Sequence, residues 1–328
     1  MRWFSRNGHH YDPTLVLSGG GSMGALQAGI LVVLMRRGFR PGRIVGTSVG
    51  ALNGAFLAFH PTIEGAEELV RIWRALEKER YLRINPVSIA YRLASRQTYL
   101  FRNDFLQELI AAHTVSDDFA ATLVPLHINA TNVYTGRKHV FSEGPVSQAI
   151  LASTAIPGVF EPYKVDGQAY IDGGVVSNLD LDTAVANGAH QILAIDLSHC
   201  FELPEPQSVA GVITRTVDIV MRDRVERDMV ALERKSKITL VQPEVEHGPG
   251  VGDFRNVTRL LAEGMLLGER FADRCFDGKG RLRPGLYQET AESIPEAPSK
   301  PQPAWPLRTF RQATSQQEVW STESPPTA

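Results

Sequence analysis

Twice near its N-terminus the chain runs a short apolar β-rich segment into a glycine loop and then straight into a helix-like stretch. Thr14 to Leu17 ends in Ser18-Gly19-Gly20-Gly21. Gly24 to Arg37 follows, with Leu26, Ile30, Val33 and Leu34 on one helical face and Arg36-Arg37 in its last turn, and Gly38 stops it. Arg43 to Val45 then enters Gly46-Thr47-Ser48-Val49-Gly50, and small residues carry a helix from Ala51 to about Phe59. Strand, loop and helix, repeated in that order, argue for a parallel sheet with helices on both faces.

The rest of the chain extends this α/β pattern. Ile63 to Glu79 is amphipathic, and Val124 to Val133 and Lys138 to Ser142 read as a hairpin across Thr135-Gly136. Asp166-Gly167 turns into a strand from Gln168 to Ile171, while Ile192 to Leu197 and Ile238 to Val241 read as further buried strands. Ile213, Val217, Val220, Val225, Met229 and Leu232 keep helical spacing. That helix is expected to face the core and to carry a solvated outer face, in preference to a membrane or partner helix. Three parts are expected: a loose arm over 1–13, a catalytic domain over 14–285 and a disordered tail over 291–328. The tail holds seven of the chain's 20 prolines, a composition that cannot offset its ordering entropy.

Charge and cysteine content exclude whole classes of function. The 328 residues carry 34 basic and 36 acidic side chains, a net charge of −2, so no global basic field exists to hold nucleic acid. Two cysteines, Cys200 and Cys275, are too few for a disulfide scaffold and fit a reducing compartment. No signal-like segment opens the chain, and no uncharged run reaches the roughly 20 residues a spanning helix needs. A cytoplasmic protein is expected, with any membrane contact peripheral. Its oligomeric state stays open.

The second glycine loop matches G-x-S-x-G at a strand-to-helix junction. Side chains at Gly46 and Gly50 would clash in so tight a turn, which thrusts Ser48 out at the sheet's carboxyl edge beside Thr47 and Val49. The helix that follows aims its N-terminal N–H groups at any oxyanion forming there. The first loop, Gly19-Gly20-Gly21-Ser22-Met23-Gly24, also satisfies the dinucleotide pattern G-x-G-x-x-G. That pattern needs an acidic residue at the end of the second strand to hold the ribose, and none occurs between Asp12 and Glu64. With a dinucleotide discounted, no cofactor or metal is expected. The loop is left as a set of N–H donors facing Ser48, each worth about 10²–10³ in rate.

The base expected for Ser48 is Asp172, in Tyr170-Ile171-Asp172-Gly173-Gly174. It ends a strand, and Gly173 and Gly174 leave its carboxylate uncrowded. A carboxylate near pKa 3.9 is a poor base for an alcohol, so the pair requires burial and strong oxyanion stabilisation. A triad with a later histidine, His190, His199 or His247, is the competing hydrolase reading.

Three blocks, Gly19–Gly24, Gly46–Gly50 and Asp172–Gly174, together with Ala152-Ser153-Thr154-Ala155-Ile156-Pro157-Gly158-Val159-Phe160, make the chain from Thr14 to about Ile195 resemble the patatin-like phospholipase family. The resemblance implies a three-layer α/β/α sandwich with a mostly parallel central sheet. It also implies a Ser48–Asp172 dyad without histidine, and calcium-independent hydrolysis of acyl esters in phospholipids or related lipids. Two positions depart from the family pattern. Met23 stands where Arg or Lys is common, which supports an alternative, catalytically weak or inactive lipid-binding or regulatory member. Asp180 replaces a proline after Asn178 and is expected to cap the next helix. The interleaved aromatic and basic residues of Tyr81 to Leu100 suit a lid or a membrane-facing rim.

Overall fold

The computed structural model describes residues 12–79, 99–101, 103–113, 116–199, 205–245 and 253–291. Expectations placed on the N-terminal arm up to residue 11, on residues 80–98, on Cys200 and His247, and on the tail from 292 onward lie outside the described residues. The strands are β1 (Thr14–Leu17), β2 (Arg43–Thr47), β3 (Tyr99–Phe101), β4 (Leu126–Asn132), β5 (Lys138–Phe141), β6 (Gly158–Phe160), β7 (Tyr163–Val165), β8 (Gln168–Asp172), β9 (Gln191–Ile195), β10 (Lys237–Val245) and β11 (Gly285–Ala291). The helices are α1 (Gly24–Arg36), α2 (Val49–Phe59), α3 (Ile63–Glu79), α4 (Asp104–His113), α5 (Val146–Ser153), α6 (Gly174–Ser177), α7 (Leu181–Ala186), α8 (Val209–Leu232) and α9 (Val257–Cys275).

Six strands, in the order β11-β10-β9-β1-β2-β4, pair in parallel. A parallel sheet covered on both faces takes near-continuous apolar strands. Accordingly Leu15, Val16 and Leu17 are all fully buried, Leu15 and Leu17 in the core on one face and Val16 in the core on the other. The first core also takes residues of α1, α2, α3 and α9, and the second takes residues of α7 and α8. The chain is a three-layer α/β/α sandwich with a mostly parallel central sheet. Helix α1 is buried from Gly24 to Met35 because α9 crosses its outer side. A Cβ on Gly264 of α9 would lie 2.2 Å from the Leu26 carbonyl oxygen, so the two backbones touch. Among the described residues no helix is long and apolar enough to cross a membrane.

Strand β4 sets the geometry of the carboxyl edge. Its residues Leu126 to Asn129 pair with β2, and Ile128 to Thr131 pair with β5. Residues Ala130 to Asn132 pair antiparallel with β8. Strand β5 occupies one side of β4 through the shared positions, so β2 and β8 must share the other side, meeting end to end. Thr47 lies opposite Asn129 and Asp172 opposite the next residue, Ala130.

Helix α8 departs from expectation. Val225 and Leu232 are buried and Met229 packs against them, but Ile213, Val217 and Val220 are 60%, 43% and 55% exposed. The helix returns the chain to Lys237, which pairs with Gln191 at the amino end of β9, so it runs against the parallel strands. Only its C-terminal half joins the described core, and among the described residues the N-terminal half buries no apolar side chain.

Candidate active site

The backbone at Ser48 has φ 53° and ψ −124°, making it one of two non-glycine residues with positive φ among those described. Such a conformation costs about 1–3 kcal/mol and persists only where its surroundings over-determine it. They do so here. A Cβ on Gly50 would lie 2.4 Å from the Leu17 carbonyl oxygen, and one on Gly46 would lie 2.5 Å from the Gly50 carbonyl oxygen. Helix α2 therefore starts hard against β1, and Ser48 stands at the corner. Its own N–H donates to Ser153 Oγ at 2.8 Å, which ties the elbow to the end of α5.

The end-to-end meeting of β2 and β8 brings Ser48 and Asp172 into contact. Ser48 Oγ donates to Asp172 Oδ2 at 2.5 Å. The other carboxylate oxygen, Oδ1, accepts from the Gly174 N–H at 2.8 Å, and the Asp172 carbonyl accepts from Thr131 Oγ1 at 3.0 Å. Gly173 lets this turn lie directly on β4, since a Cβ there would sit 2.0 Å from Asn129 Oδ1. Asp172 is 7% exposed. Burial pushes its pKa up to about 6, against the opposing effect of the Ser48 and Gly174 donors. It is thus ionised at neutral pH, and a stronger base than an exposed aspartate.

Within the first glycine loop the donors are not equivalent. The Gly19 N–H is committed to the Asn178 carbonyl at 3.3 Å, and the Asn178 side chain returns a bond to the Gly19 carbonyl at 3.4 Å. Among the described residues, the Gly20 and Gly21 N–H groups have no acceptor. Val49 adds the first N–H of α2, which has no partner within the helix. Ser22 is buried, and Met23 is 3% exposed, packed in the apolar core at the start of α1. Its side chain therefore occupies core volume, where a cation would require a partner. Gly24 closes the loop against Trp73 and Val49.

Beside Ser48 lies an apolar cavity of about 120 Å³. Leu52, Trp73, Leu76, Leu106, Leu109, Val159 and Phe254 line it, together with Ser48 and Gly21. Trp73 is anchored by a 2.9 Å bond from its ring N–H to Asn53 Oδ1.

Sequence reasoning gave no role to Asn129, Ser153 or Thr131, which brace Ser48 and Asp172. Asn129 and Thr131 are lone buried polar residues in a strand and carry no motif, while Ser153 stands in the Ala152–Phe160 block with no part assigned to it, so only the structure exposes what they do. The histidine alternative finds no geometry among the described residues. His199 Nδ1 lies 3.1 Å from Asp196 Oδ2 and 2.9 Å from Gln242 Nε2, in a cluster at the end of β9. No described histidine contacts Ser48 or Asp172. Asp180 caps α7 through the Thr183 N–H at 3.3 Å and also holds Lys138 at 2.7 Å.

With this elbow, glycine loop and aspartate turn in place, comparison with protein-family models matches residues 15–185 to "Patatin-like phospholipase". The chain belongs to the patatin-like phospholipase family. An uncharacterized NTE family protein of Mycobacterium tuberculosis (strain ATCC 25618 / H37Rv) is 28% identical over 184 residues, covering 56% of this chain and 48% of that protein. Patatin-like phospholipase domain-containing protein 7 of Mus musculus is 27% identical over 185 residues, covering 56% of this chain and 13% of that protein. The chain thus matches about half the length, or less, of these curated relatives. Among solved structures, VipD from Legionella pneumophila aligns over 81% of this chain and 67% of its own, with a TM-score of 0.45 and 14% identity.

Proposed function

We propose that this patatin-like chain is a serine acyl hydrolase that cleaves fatty-acyl esters of phospholipids or related lipids through Ser48 and Asp172. The observation that carries it is the 2.5 Å hydrogen bond to Asp172 from Ser48, which lines an apolar cavity. Ser48 Oγ attacks the ester carbonyl as its proton passes to Asp172 Oδ2. The oxyanion is held by the N–H groups of Gly20 and Gly21 and by the N-terminus of α2. Collapse expels the alcohol, which takes the proton from Asp172, and leaves an acyl-Ser48 enzyme. Asp172 then accepts a proton from water as the water attacks, and the fatty acid departs with Ser48 reprotonated. The cavity lined by Leu52, Leu106, Leu109 and Val159 suits the acyl chain. Contact with the membrane that supplies the substrate is peripheral.

Labelling with a fluorophosphonate, read by intact mass, tests this reading. One adduct on wild type, none on Ser48→Ala and slowed labelling on Asp172→Asn are expected. A folded wild-type protein that takes no adduct would overturn it in favour of a lipid-binding role.

A further inference from the structure

The first three turns of α8 carry an apolar face turned to solvent. Val209, Val212, Ile213, Val217, Ile219 and Val220 are between 43% and 79% exposed. At 100° per residue they span an arc of about 160° opposite the side that buries Val225 and Leu232. Met221, the next residue, touches the catalytic turn: a Cβ on Gly174 would lie 3.2 Å from its Cε. Because α8 runs against the parallel strands and Met221 already lies at the carboxyl edge with Ser48, the twelve residues before it, about 18 Å of helix, extend past that edge. A contiguous exposed apolar patch of this kind marks an interaction surface.

We propose that this face of α8 docks on the surface of a phospholipid bilayer, an inference that rests on the lipid-hydrolase reading of Ser48. The distribution of charge selects this partner. From Val209 to Val217 the helix carries Arg215 and no carboxylate. Its acidic residues begin at Asp218, where the helix switches to paired charges: Asp218–Arg222, Asp223–Arg227 and Arg224–Asp228. An apolar arc without negative charge suits insertion among headgroups to a depth of about 5–10 Å, with the paired half left above. Docked in this way, the helix holds the Ser48 edge close to its substrate, whereas a second copy on the same face would crowd that approach.

The test uses the full chain with Ser48→Ala, so that vesicles stay intact, floated with phosphatidylcholine–phosphatidylserine vesicles. The parent should float. Ile213→Glu/Val220→Glu should lower vesicle partitioning on the order of a hundredfold, about tenfold for each lost apolar contact. Val230→Glu, on the charged half, should float like the parent. A parent that stays unbound, or a double variant that floats equally well, would overturn the proposal. So would light scattering that finds a dimer in the parent and a monomer in the double variant, since the face would then pair with a second copy. Flotation reads binding without turnover and fluorophosphonate labelling reads the nucleophile alone, so failure of one leaves the other standing. In the Ser48 background the double variant should label at the wild-type rate.

Discussion

Replacing Asp172 with asparagine should make the protein more stable while removing the base proposed for Ser48. The buried carboxylate titrates at about 6, against an ordinary 3.8, because burial penalises its charge. A shift of about two units corresponds to about 3 kcal/mol of destabilisation whenever the group is ionised in the folded state. For a group raised in this way, the penalty is absent below the unfolded value near 4, grows as pH rises toward 6 and is complete above it. Asparagine carries no charge at any pH and can keep both contacts, its oxygen toward the Gly174 N–H and its amide toward Ser48 Oγ. Urea unfolding of wild type and Asp172→Asn at a series of pH values from 4.5 to 8 measures the difference directly. The variant should gain about 3 kcal/mol at pH 8, on the order of 6–10 °C in midpoint temperature, and most of that gain should vanish at pH 4.5. Ester turnover should fall about 10²–10⁴-fold. A variant no more stable than wild type at pH 8, or a gain unchanged across the series, would refute the view that the buried charge is strained.

With Asp172 as the proposed base, kcat/KM for a water-soluble short-chain ester should rise about tenfold per pH unit up to about pH 6 and stay flat above, and a flat profile down to pH 4.5 would rule out that role. Gly20→Ala would place a Cβ 2.9 Å from Leu197, displacing the loop and its N–H; labelling and hydrolysis should drop about 10²–10³-fold while circular dichroism stays native. Val159→Trp should fill part of the cavity and shift preference toward short acyl chains, read with a series of nitrophenyl esters. Lys138→Met removes the cation that holds fully buried Asp180 and half-buried Asp182, and should cost about 3 kcal/mol at neutral pH in urea unfolding, less at pH 5 where Asp180 takes up a proton.

The parallel layers were legible because β1 and β2 are short apolar runs that each lead through a glycine loop straight into a helix. The elbow was legible for a related reason: a Cβ at Gly46 or Gly50 would lie 2.4–2.5 Å from a backbone oxygen, and that need writes itself into the chain as two glycines. Other parts depend on distant partners. Helix α9 carries Gly264 and Gly268 where glycine reads as a breaker, yet they are there to let α1 lie against it. In helix α8 the apolar face shifts to the opposite side between Val220 and Val225 while residues at helical spacing continue, so a reading that follows spacing alone joins the half over the sheet to the half beyond it. That Met23 turns into the core is likewise invisible from its place in a glycine loop, where a neighbour of the active site is the natural guess.

The shared use of one side of β4 by β2 and β8 also has a bearing on how activity is lost. Ser48 and Asp172 are 124 positions apart in sequence, and their distance is held by two strand ends abutting on a common neighbour. The β7–β8 hairpin meets β4 over just three residue pairs, while β2 is clamped between β1 and β4. Peripheral pairing of that kind opens at a lower free energy than the centre of a sheet. Heat or mild denaturant should therefore release the carboxylate before the serine. The proposed activity would fall silent while the parallel core still stands, and on cooling the hairpin would have to re-pair with β4 and with the Ser153 and Ala155 carbonyls to close again.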